Sequence, residues 1–116
     1  MQSLENTMLI TDLDGTLLPA SKEISVADAA AISQFRAKGG KFAIATGRTL
    51  QAAQRYLKKL QPNIPVILFN GAAIYDPVAE KWLYTEELPP EAVSITRQVL
   101  EAFPDVSAEI LRTDGT

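Results

Sequence analysis

Three short apolar runs, residues 8–13, 41–45 and 65–69, are separated by two segments that carry helix signals. This alternation constrains the fold more than any other feature of the chain. Ser25-Val26-Ala27-Asp28 has the form of a capping box, with Ser25 accepting from early amides and Asp28 reaching back. It should open a helix that runs to about Lys38 and stops at Gly39-Gly40. Alanines fill both sides of that helix, and Ala31, Ile32 and Phe35 give it one apolar face. A second helix is expected over residues 49–60, with Ala53, Tyr56, Leu57 and Leu60 at i, i+3, i+4 and i+7. The run at 41–45 is apolar enough to be buried on both faces, as strands of parallel sheets are. Strand, helix, strand, helix, strand in this order implies right-handed crossovers and an α/β fold with a doubly wound parallel sheet.

After residue 69 the pattern changes. Ala73-Ile74-Tyr75 and Trp82-Leu83-Tyr84 flank Asp76-Pro77-Val78-Ala79-Glu80-Lys81, which reads as a β-hairpin rather than another crossover. Leu88-Pro89-Pro90-Glu91 reads as a linker with a proline entry to a third helix. Ala92, Thr96, Val99, Leu100 and Phe103 share one face of that helix, Pro104-Asp105 stops it, and residues 106–111 form a weakly alternating strand candidate. A boundary near Glu87 divides the chain into 1–87 and 88–116.

Composition narrows the chemistry. The 116 residues contain no Cys and no His. Thiol chemistry, Ser-His and Cys-His pairs, imidazole bases and Cys/His zinc sites are therefore excluded. Carboxylates, hydroxyls, amides and backbone groups must carry any catalysis. A formal charge of −3 argues against nucleic acid as a partner. The N-terminus lacks the pattern of a signal peptide, and no run approaches the roughly 20 apolar residues of a membrane span. The expectation is a soluble, cytoplasmic protein with neither nucleic acid nor membrane among its partners.

The first apolar run closes in Asp12-Leu13-Asp14-Gly15-Thr16-Leu17-Leu18. Side chains two apart on a strand point the same way, so Asp12 and Asp14 are expected together at the strand's mouth with Leu13 in the core. Adjacent carboxylates repel, and a hard cation such as Mg²⁺ would offset that repulsion; a strand followed by a polar Asp-Gly turn is the structural alternative. Thr46-Gly47-Arg48 follows the second run and opens the second helix, bringing a hydroxyl, an unhindered amide and a helix N-terminus to one point suited to an anion. Thr46 can equally be an N-cap, Gly47 a turn residue and Arg48 a solvated rim charge. Asn70-Gly71 ends the third run at the same edge of the sheet, either as a turn or with Asn70 donating to a ligand.

Asp12-Leu13-Asp14-Gly15-Thr16-Leu17-Leu18, Thr46-Gly47-Arg48 and Asn70-Gly71-Ala72 together resemble the haloacid dehalogenase (HAD) superfamily, and within it the Cof-type sugar-phosphate phosphatases. The resemblance covers nearly the whole chain and implies a Rossmann-like core with an inserted mobile cap. It implies that Asp12 is the nucleophile that forms an aspartyl-phosphate. Asp14 would protonate the leaving oxygen and then activate water. Mg²⁺ would be held by the Asp12 carboxylate and the Asp14 main-chain carbonyl, and Thr46 would hydrogen-bond the phosphoryl group. Gly47, Arg48 and Asn70 complete the expected phosphate-binding set, and the substrate would be a small phosphorylated metabolite. For the acid step the Asp14 pKa should be raised.

The superfamily pattern also needs a later lysine and an acidic loop that completes the metal site, and neither is found. Lys38 and Lys41 fall at the far end of the sheet, and Asp114-Gly115 has the wrong context. The chain thus reads as the N-terminal portion of a longer phosphatase. Alone it should be weak or inactive, with an incomplete cap that can promote self-association. Two alternatives stand beside this reading: a non-catalytic phosphate- or metal-binding module, and a phosphotransferase of mutase type. A response-regulator receiver would need an aspartate after the third strand, where Asn70-Gly71 stands.

Overall fold

The computed structural model describes residues 2–115. The first strand, β1 (Met8–Thr11), pairs in parallel with β2 (Lys41–Ile44), Leu9 opposite Phe42 and Ile10 opposite Ala43. Between them lies α1 (Val26–Ala37), capped by the Ser25 hydroxyl, which accepts from the Asp28 amide at 3.0 Å. Helix α2 (Leu50–Leu60) follows β2 and ends on Gln61 in the left-handed conformation. The third strand, β3 (Val66–Leu68), joins β2 in parallel through the single Ala45–Ile67 bridge, where the Thr46 amide donates to the Ile67 carbonyl at 2.9 Å.

Strand β3 then pairs antiparallel with β4 (Ala73–Asp76), and β4 with β5 (Lys81–Thr85), with a register irregularity between Ile74 and Tyr75. The Asp76 carboxylate closes the hairpin turn by accepting from the Val78 and Ala79 amides. The architecture is α/β: a parallel sheet with flanking helices, extended by an antiparallel hairpin. Both crossovers step the same way along the sheet, and α1 and α2 touch each other. Right-handed crossovers in one direction place their helices on one face, so the described residues form one winding rather than two.

The core gathers where the sheet meets α2. Leu13, Phe42, Ile44, Val66 and Leu68 are fully buried, and Ala53, Tyr56, Leu57 and Leu60 of α2 cover them. Burying a side chain of the Leu or Phe type contributes about 1.5–3 kcal/mol. Helix α1 contributes less than its pattern implies: Ile32 is buried and Phe35 half-buried, but Ala31 is exposed and Ala29 takes its place against the core. The edge of β2 is completed by a side chain. Asn63 Oδ1 accepts from the Phe42 amide at 2.7 Å, and its Nδ2 donates to the Gly40 carbonyl at 3.0 Å.

Three expectations are corrected. β1 stops at Thr11 rather than residue 13, because the chain folds back so that the Leu18 amide donates to the Leu13 carbonyl. Residues 106–111 form no strand, since no described segment lies alongside to complete their hydrogen bonds. Helix α3 (Glu91–Ala102) forms after the prolines as expected, but no residue of it is buried; Val99 and Phe103 of its apolar face are exposed. Thr116, the last residue of the expected 88–116 unit, lies outside the described residues.

Candidate active site

The carboxyl ends of β1, β2 and β3 converge on one cleft of about 370 Å³, lined by Asp12, Thr46, Gly47 and Asn70. Crevices at the carboxyl ends of parallel strands are where open α/β sheets place their ligands. Asp12 follows β1 directly. Its Oδ1 accepts from the Leu13 amide at 2.7 Å, and among the described residues its Oδ2 takes no hydrogen bond.

Thr46 is the one buried polar residue among those described, 5% exposed. Its hydroxyl accepts from the Arg48 amide at 3.1 Å, which tightens the turn after β2. The helix does not start there. The cap of α2 is Thr49, whose hydroxyl accepts from the Ala52 amide at 3.1 Å. Thr46-Gly47-Arg48 is therefore a separate turn ahead of the helix, because Thr49 sits three residues before an orphan amide and Thr46 does not.

That turn is stitched to the end of β3. The Asn70 amide donates to the Thr46 carbonyl at 3.2 Å and the Phe69 amide to the Arg48 carbonyl at 3.1 Å. Phe69, Asn70 and Gly71 form a 3-10 turn with φ of +53°, +56° and +96°. Left-handed backbone costs a non-glycine residue roughly 1–2 kcal/mol, and here it turns Asn70 back over the cleft. The Asn70 side chain comes so close to Gly47 that a Cβ there would lie 2.6 Å from Oδ1. A side chain at Gly47 would push the Asn70 side chain aside.

Asp14 does not share Asp12's surroundings. Its carboxylate is gripped by Arg48, Nε to Oδ2 and Nη2 to Oδ1 at 2.8 Å each, and by Lys22 Nζ at 2.9 Å. These two cations, Arg48 first, hold Asp14 well below the usual carboxylate range. The expectation of a raised pKa is thus reversed: strand alternation ends at Thr11, and Asp14 turns toward cations rather than toward a second carboxylate. Lys22 could not be picked out from the sequence, since it lies in an aperiodic loop with no motif around it. Its backbone is left-handed, φ +60°.

The structure therefore brings Asp12, Thr46, Gly47 and Asn70 to one cleft and sets Asp14, with Arg48, beside it. No group of three or more His, Cys, Asp or Glu able to hold a metal is found among the described residues. The donors present are the free Asp12 Oδ2 and the Asp14 carbonyl oxygen, which accepts no hydrogen bond among the described residues. Hard oxygens of this kind suit Mg²⁺, which keeps several waters and is bound through one or two carboxylates plus substrate phosphate. Beside the cleft a larger one of about 660 Å³ shares Gly47 and Asn70 and is bounded by Phe69, Glu86, Glu109 and Arg112.

The haloacid dehalogenase-like hydrolase family matches the chain over residues 9–116, and the chain belongs to that family. It is 30% identical over 107 residues to a 5-amino-6-(5-phospho-D-ribitylamino)uracil phosphatase of Bacillus subtilis, covering 90% of this chain and 40% of the relative. It is 32% identical over 99 residues to an HMP-PP phosphatase of Cronobacter sakazakii, covering 85% of this chain and 35% of the relative. Two solved structures share the fold. A haloacid dehalogenase-like hydrolase from Bacteroides thetaiotaomicron has a TM-score of 0.74 at 23% identity, and a subclass IIB sugar phosphatase of the superfamily has 0.65 at 28%. Each match covers 83% of this chain and 37% of that structure. The chain thus spans well under half the length of these relatives. No helix of the described residues is long and apolar enough to cross a membrane.

Proposed function

We propose that this chain carries the nucleophile and phosphate cradle of a Mg²⁺-dependent phosphomonoester hydrolase acting on small phosphorylated metabolites. The observation that carries this reading is the cleft that Asp12 lines together with Thr46, Gly47 and Asn70, where among the described residues Asp12 Oδ2 takes no hydrogen bond. The two curated relatives named above, a 5-amino-6-(5-phospho-D-ribitylamino)uracil phosphatase and an HMP-PP phosphatase, support it.

Asp12 attacks phosphorus, and the bond to the ester oxygen breaks as an aspartyl-phosphate forms. Thr46, Gly47 and Asn70 hold the equatorial phosphoryl oxygens. Bound by Asp12 and the Asp14 carbonyl, Mg²⁺ would supply the charge that offsets carboxylate–phosphate repulsion. To give a proton to a poor leaving group Asp14 must first be released from Arg48. In the second half-reaction Asp14 takes a proton from the water that opens the intermediate; held ionised by its two cations it is a weak base, so this step too follows its release from Arg48. The larger adjoining cleft offers room for the leaving group.

An aryl phosphate, whose leaving group departs without a proton, tests the first half-reaction without asking for that release. Slow Mg²⁺-dependent release of the phenol, lost in Asp12→Asn, is the expected result. Release that survives the substitution would remove Asp12 from the reaction.

A further inference from the structure

Asp14 is held by two cations of different origin. Arg48 comes from the turn after β2 and stands next to the phosphate cleft; Lys22 comes from the loop after β1. Lys22 is half-exposed, and exposed ion pairs add little to stability, so a stabilising role does not explain the trouble taken to place it. Its backbone is held in the left-handed region, and its carbonyl oxygen receives two donors from α2, the Tyr56 hydroxyl at 2.9 Å and Arg55 Nη2 at 3.2 Å. Tyr56 is buried, and its ring also lies under the Arg48 guanidinium, 5.1 Å from centroid to Cζ. One buried tyrosine thus sets both anchors of Asp14: it holds Lys22 by the main chain and Arg48 by the ring face.

We propose that Lys22 is a second positioning residue for Asp14, locked from its main chain by Tyr56 and Arg55 so that Arg48 is free to turn to an incoming phosphate. If Arg48 turns its Nε–Nη2 edge from Asp14 to a phosphate, Asp14 loses both of its guanidinium hydrogen bonds. An ammonium on a loop held to α2 by its main chain keeps Asp14 in place while the guanidinium turns away. The inference rests on the phosphatase reading for its purpose, but the arrangement itself is testable without substrate or metal.

Because α2 grips Lys22 by its carbonyl oxygen, replacing the side chain leaves the lock intact. The Asp14 χ1 populations, read from three-bond couplings to Cγ, are compared in Arg48→Met, Arg48→Met/Lys22→Met and Arg48→Met/Lys22→Arg, with Arg48→Met/Lys58→Met as a control for the lost charge. Arg48→Met stands in for a guanidinium drawn away. Asp14 should keep one dominant rotamer in Arg48→Met, in the Lys22→Arg rescue and in the Lys58 control. On Lys22→Met its major-to-minor ratio should fall about threefold, the size of an exposed ion pair. The same ratio in all four chains would overturn the proposal, whatever the outcome with phosphate esters. A fall of equal size in the Lys58 control would overturn it too, by showing a general charge effect.

Discussion

Arg48 and Asp14 meet fork to fork, two parallel N–H···O bonds of 2.8 Å that tie the turn after β2 to the loop after β1. Charge-assisted pairs of this geometry fix orientation as well as adding energy. The pair bridges 34 positions of sequence, and both groups are partly exposed.

Its pH dependence has a definite sign. The fold depresses the Asp14 pKa, so the stabilisation is complete above the unfolded-chain value of about 4 and is lost as pH falls below it. Arg48→Met should lower stability by less than about 1 kcal/mol at pH 7, given the exposure of the pair. The gap from the parent chain should close below about pH 4. Urea unfolding followed by Trp82 fluorescence at several pH values measures it, and a gap that widens in acid would contradict the account.

Gly47 and Asn70 should be coupled. Gly47→Ala places a methyl group against the Asn70 side chain, which can swing away at a cost of about 1 kcal/mol. In an Asn70→Ala background the same change should cost close to nothing. A double-mutant cycle by urea unfolding should return a coupling of about 0.5 kcal/mol or more, as contacting residues give; strict additivity would place Asn70 elsewhere.

Asn63 replaces a strand at the edge of β2. Asn63→Ala strips the partner from the Phe42 amide and from the Gly40 carbonyl together. A buried group left unsatisfied costs about 1–3 kcal/mol, so a loss of that size is expected. Faster amide exchange at Phe42 should accompany it.

Much of the cleft could be read from the residues alone. Asp12, Thr46, Gly47 and Asn70 each follow an apolar run, and parallel pairing brings the ends of such runs together whatever the loops do. The hydrophobic spacing of α2 likewise named Ala53, Tyr56, Leu57 and Leu60, all buried. What failed depended on contacts between segments distant in sequence. Strand alternation past Thr11 does not apply, because the strand has already ended, and no local pattern reveals that Arg48 and Lys22 close on Asp14 and lower its pKa. Thr46 and Thr49 are both plausible caps by residue type, and only the position of the Ala52 amide decides for Thr49. Residues 106–111 alternate as a strand does, yet alternation without a neighbouring strand leaves the backbone unpaired.

The claim that Asp12 is the phosphoryl acceptor is tested most directly by beryllofluoride, a tetrahedral mimic of a phosphoryl group that binds a carboxylate oxygen. Fluorine NMR of the chain with beryllofluoride and Mg²⁺ should show a bound species. That species should be absent in Asp12→Asn or without Mg²⁺, and weakened in Thr46→Ala. A bound species that persists in Asp12→Asn, or none in the parent chain, would contradict the assignment of Asp12 as nucleophile.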